Sequence, residues 1–99
     1  MHSNLAQPAD NVYLLMRSSP YGTVSHSHAS QNAIAIQAYG EALAISSGYY
    51  QRYASPHHAQ WTWQTKAHCS VLVDGEGQVT RSPLARGRIV AFDNQEDYC

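Results

Sequence analysis

Between Asn32 and Ser46 the chain reads as two short apolar runs joined by Gly40-Glu41, and this limits the fold more than any other stretch. The first run, Ala33-Ile34-Ala35-Ile36, is followed within a few residues by Ala42-Leu43-Ala44-Ile45. A two-residue connection with glycine first is the pattern of a type II′ β-hairpin. In that register Ala38 is expected opposite Leu43 and Ile36 opposite Ile45, so the larger side chains share one face. Three further segments have β character: Asn11 to Arg17, His68 to Val73 and Gly87 to Phe92. Ser18-Ser19-Pro20-Tyr21-Gly22 and Asp74-Gly75-Glu76-Gly77 punctuate them, and Gln78-Val79-Thr80 is expected to return beside the fourth. No stretch carries a sustained helical period. The expected class is therefore all-β, an antiparallel sandwich or barrel-like sheet. The chain stops soon after a strand with nothing left to cover the sheet, so residues 1–99 are expected to be one part of a larger sandwich.

Several functions are disfavoured by composition. Charged residues are 13% of the 99 and the net charge is −1, which leaves no basic patch for nucleic acid. Apolar runs are far shorter than the ~20 residues that span a membrane as a helix. Met1 to Pro8 lacks the cationic and apolar regions of a signal peptide. Cys69 and Cys99 set no disulfide framework and read as ordinary thiols.

Chemistry concentrates just before the hairpin, in Ser25-His26-Ser27-His28. Residues i and i+2 of an extended chain project to the same side, so both imidazoles can converge. Such a pair suits metal binding or proton transfer, and equally two solvated loop histidines. Closure of the hairpin should bring His28 next to Ser46 to Tyr50. His68 opens the fourth segment and offers a third imidazole, whereas His57-His58, in a loop beside Pro56, is expected in solvent. Zinc requires three or four N, O or S ligands, so a carboxylate or another imidazole has to join any pair. The HxHxDH pattern of metallo-β-lactamases is not met, because Ser30 and Gln31 stand where Asp and His would be needed. A cupin-like metal-binding barrel is an alternative for an all-β chain with these histidines.

Taken in order, the segments Arg17 to Ala29, Leu43 to Tyr50, Ser55-Pro56-His57-His58, Gln64 to His68, Val73-Asp74-Gly75 and Gly87 to Val90 resemble the heparinase II/III-like family of polysaccharide lyases. The resemblance implies the opening part of a carboxyl-terminal β-sandwich, whose partner is an α/α toroid that is not in this sequence. It implies β-elimination of a uronic-acid-containing polysaccharide, heparin/heparan- or alginate-like, in the periplasm or outside the cell. By similarity, His26 is the catalytic histidine, as base or carboxylate neutraliser. His28 and His68 fall at structural zinc ligands, and Tyr50 at a substrate-binding position. The toroid would supply the remaining acid–base residues, a tyrosine and another histidine, so this segment alone is expected to be inactive. Three departures matter: Ser46 and Ser30 stand where the family usually has Asp, and Cys69 where it has Asn. The first removes the carboxylate ligand and should weaken the zinc site. A non-catalytic carbohydrate-binding or structural remnant is a further reading.

Overall fold

The computed structural model describes residues 1–20 and 24–93. Part of the expected turn at Tyr21-Gly22, and the thiol of Cys99, lie outside them. Three strands, β1 (Val12–Arg17), β2 (Ala33–Ala38) and β3 (Glu41–Ala44), form one antiparallel sheet in the order β1-β2-β3. Among the described residues helix is confined to single turns at Pro8–Asp10, His58–Thr62 and Thr65–Ala67, so the all-β expectation holds. Among the described residues no helix is long and apolar enough to cross a membrane.

β1 and β2 pair along their whole length, from Val12 opposite Ala38 to Arg17 opposite Ala33. This register places Leu14 against Ile36 and Met16 against Ile34, which matches branched and flexible apolar side chains across the strands. Residues 1–3 lie along the other edge of β1, with Met1 and Leu14 exchanging bonds of 2.8 and 3.1 Å.

The hairpin forms one residue earlier than expected. Ala38 faces Glu41, so the connection is Tyr39-Gly40 rather than Gly40-Glu41. Both loop residues have positive φ, 54° and 82°, the pattern of a type I′ turn whose twist suits the strands. A bulge between Ile36 and Gln37 then absorbs the mismatch, and Ile36 faces Ala44 instead of Ile45. Beyond this bulge β3 departs from β2, and the vacated Ile34 amide donates to the Cys69 carbonyl at 2.8 Å.

The fourth and fifth segments do not become strands. His68 to Val73 is kinked by a bond from the Ser70 amide to the His68 carbonyl (2.8 Å) and by the Ser70 hydroxyl donating to the Gln31 carbonyl (3.0 Å). The first bond uses backbone groups that a ladder would need, and the second ties the kink to the loop before β2. Only Val73 and Glu76 bridge, around Asp74-Gly75. Residues 87–93 pass beside β1, where Ile89 and Phe92 border an apolar groove with Leu14 and Met16.

The buried set is small and polar. It contains Ala29, Ala38, Ala67, Ala85 and Trp63, together with Ser30, Gln31, Ser55, His58, Thr62 and Thr65. Gln31 lies at the centre: its side-chain oxygen accepts from the Ser19 amide at 2.7 Å and its side-chain nitrogen donates to the Ser19 hydroxyl at 2.8 Å. Gln78 closes the other side, donating to the Gln31 carbonyl at 2.7 Å and accepting from its amide at 3.0 Å. The Gln78 amide continues to the Thr65 hydroxyl at 2.8 Å. Gly77 and Gly87 are required at this junction, because a Cβ would press on the Thr65 side chain in one case and the Ser18 hydroxyl in the other. Replacing Gln31→Leu removes both bonds to Ser19 and should cost about 2 kcal/mol, at roughly 1 per bond. The expected result is a lower urea midpoint with an unchanged slope.

Candidate functional site

The long connection from β1 to β2 carries His26 and His28, and the Gln31 junction anchors its end. Ala29 donates to the Trp63 carbonyl at 2.9 Å, which ties this connection to the helical turn over His58–Thr62. That turn starts where the Ser55 hydroxyl accepts the His58 amide at 3.2 Å. It closes with the Trp63 amide on the His58 carbonyl at 2.9 Å, a bond of π-helical span. The run-out of β3 packs against residues 67–69 through the Ser47 amide on the Ala67 carbonyl (2.9 Å) and the Cys69 thiol, which is free, on the Ile45 carbonyl (3.2 Å).

These ties bring together His28, His58 and His68, three imidazoles from separate segments. The His28 ring centroid lies 5.4 Å from that of His68 and 5.5 Å from that of His58. Tyr50 stacks on His58 at 3.6 Å with planes 8° apart, and its edge meets His28 at 6.2 Å. Proximity of His28 to the segment after the hairpin is thus observed. His26 lies outside this cluster on an exposed face, with its ring 4.5 Å from that of Tyr53.

His58 corrects a sequence expectation. It is fully buried (0% exposed) rather than in solvent, while His57 is exposed. Pro56 and Ser55 start a helical turn, and a buried position one turn later follows from that geometry; the Ser-Pro pair was the available signal.

The hydrogen bonds fix two tautomers. The Ala54 amide donates to Nδ1 of His58 at 3.0 Å, so neutral His58 carries its proton on Nε2, which has no partner among the described residues. Nε2 of His68 donates to the Thr62 carbonyl at 3.1 Å, so its lone pair is on Nδ1, 2.8 Å from the Ser46 hydroxyl. Burial lowers the proton affinity of all three imidazoles below the ordinary value of 6.5. For His28 the neighbouring His68, His58 and Arg17 add to this. For His58 the contributors are His26, Arg81 and His57. The Thr62 carbonyl partly offsets the effect at His68, with Arg17 opposing it.

The donors at His28 and His68 fit the nitrogen half of a zinc site. A ligating imidazole commonly ties its other nitrogen to a carbonyl, as His68 does with Thr62. His28 adds a buried Nε2 without a hydrogen-bond partner among the described residues. His58 is unsuited as a third ligand, because its remaining nitrogen bears the proton. The Ser46 hydroxyl beside His68 Nδ1 is neutral, and among the described residues no three His, Cys, Asp or Glu side chains are grouped to hold an ion.

A family model described as heparinase II/III-like, C-terminal, matches residues 2–96, and the chain belongs to that family. No curated protein matches it.

Since the three imidazoles resist protonation when folded, the unfolded chain binds more protons below pH 6.5. Their contribution to the pH slope vanishes about one unit above 6.5, and stability falls as the pH drops from there through the folded values. A thermal scan series should show a level melting temperature about a unit or more above pH 6.5 and a decline as the pH passes through and below it, the unshifted value of these groups. His58→Ala should lower stability by about 3 kcal/mol through the cavity it leaves, with a smaller acid slope.

Proposed function

We propose that this member of the heparinase II/III-like C-terminal family serves as the sandwich part of a lyase that cleaves uronic-acid-containing polysaccharide by β-elimination. The family implies a polysaccharide lyase. The observation that carries the finer reading is the division of labour among the histidines. His26 is exposed on an aromatic floor, whereas His28 and His68 are half-buried and His58 is enclosed.

The reaction has three needs: the carboxylate charge must be masked, the proton on the adjacent carbon removed, and the leaving oxygen protonated. An exposed imidazole near neutral pH can take a proton or donate to a carboxylate, and this is the role of His26. Tyr50, half-buried and stacked on His58, presents a rigid ring edge to the same region as substrate-binding residue. A helical toroid supplies the tyrosine and histidine that complete the acid–base set, and the natural location is the periplasm or the cell exterior.

Zinc belongs to this reading as a structural ion. His28 Nε2 and His68 Nδ1 would hold it, and when bound it would stiffen the segments beneath His26. Ser46 replaces a charged ligand by a neutral one, which lowers the affinity for the ion. The same substitution favours a second reading, a carbohydrate-binding remnant without turnover, which predicts sugar binding but no unsaturated product.

In the protein that joins this chain to its toroid, His26→Ala should lower the formation of unsaturated uronate, followed by ultraviolet absorbance, by roughly 10²–10⁴-fold. Full activity in that variant removes the role of His26. Ser46→Asp should give tighter zinc binding by calorimetry and a melting temperature that rises with added zinc. An affinity equal to the parent chain's refutes the ligand assignment.

A further inference from the structure

Arg81 is an exposed cation held in a costly conformation beside the His26 face. Its backbone is left-handed (φ 53°), a conformation that a residue with a Cβ adopts only at a cost. The guanidinium carbon lies 4.7 Å over the Trp63 ring, and Nη2 donates to the Tyr53 hydroxyl at 3.4 Å. Tyr53 is the same ring that carries His26, 4.5 Å away. Trp63 and Tyr53 meet edge to face at 5.9 Å, so the arginine and the histidine share one aromatic floor.

A guanidinium has five N–H donors in a planar fork. Among the described residues the contacts of Arg81 are one indole face and one phenol, and no carboxylate neutralises it. Contact with the indole face and the phenol holds the fork in place while leaving N–H donors to bond an external anion. A planar carboxylate matches that edge with two parallel bonds, which an ammonium could not reproduce.

We propose that Arg81 is the carboxylate-docking residue of the His26 face, binding the uronate carboxyl group of an acidic sugar chain. This rests on the lyase reading and deepens it. Masking the carboxylate at Arg81 acidifies the proton on the adjacent carbon, so His26 acts as the base and not as the neutraliser. The carboxylate-bound sugar loses that proton to the imidazole, the electron pair forms the new double bond, and the glycosidic oxygen departs with a proton from the toroid.

The 99-residue chain supports a direct test by calorimetry with three probes. These are an unsulfated oligouronate, the same oligomer with its carboxyl groups reduced to alcohols, and a neutral oligosaccharide bearing sulfate esters. The parent chain should bind the oligouronate, with salt-dependent affinity, and should not bind the carboxyl-reduced oligomer. Arg81→Gln should weaken oligouronate binding by about tenfold or more, the loss of a charge-assisted pair. Arg81→Lys should fall between, and an unchanged melting temperature in both variants shows that the fold is kept. Equal affinity in Arg81→Gln, no binding by the parent chain, equal binding of the reduced oligomer, or Arg81-dependent binding of only the sulfated probe each overturns the assignment. Failure of the lyase reading is distinct: there His26→Ala leaves turnover unchanged in the toroid-bearing protein, whatever happens at Arg81.

Discussion

The side chain of Gln31 is the point on which the remaining arrangement depends. Gln31 is 1% exposed; its side chain bonds to Ser19 beyond the end of β1, and its backbone amide and carbonyl bond to the Gln78 side chain, so this one residue joins β1, the loop before β2 and the 65–78 segment. The buried set around it is made of alanines, hydroxyls and amides, with Trp63 as the large exception. Such a centre gains little from apolar area alone. Its order comes from directional bonds, each of which penalises any other arrangement by leaving a buried group unpaired. His28 lies three residues before Gln31, so the geometry of the imidazole cluster is inherited from an amide.

That inheritance explains the different characters of four histidines in one small region. His58 is fixed in one tautomer by a backbone amide, His68 in one by a backbone carbonyl, and both are kept neutral by burial. His26 stands outside, where solvent and a ligand can reach it. The enclosed rings give shape and rigid support, and the exposed ring is the one open to solvent. Stacked aromatics connect the two groups: Tyr50 on His58, Tyr53 between His26 and Trp63.

Much of this was legible where the signal is local. The alternation at Ala33 to Ile36 and the apolar run at Val12 to Met16 identified β2 and β1, since strand period is a property of neighbours. The hairpin was recognised but placed one residue late, because a left-handed Tyr39 is a rare choice that glycine at position 40 made look unnecessary. The fourth and fifth segments have strand composition, yet Ser70 and Gln78 side chains intercept the backbone groups of Gln31. Competition of that kind depends on tertiary neighbours and leaves no periodic trace. The family was legible from ordered short motifs, and its match over residues 2–96 agrees. His58 was misjudged because a polar loop composition conceals a single helical turn, and Arg81 carried no motif at all.

The imidazole cluster draws on positions 28, 58 and 68, while the hairpin uses residues within a dozen positions of one another. Hairpins close in roughly 1–10 μs, whereas contacts between distant segments wait for larger loops to lose their freedom. The imidazole cluster is consequently assembled late in folding and released early in unfolding. A newly made chain passes through a stage with its sheet in place and its histidines still scattered, so gentle stress can disperse the cluster before any visible loss of β structure.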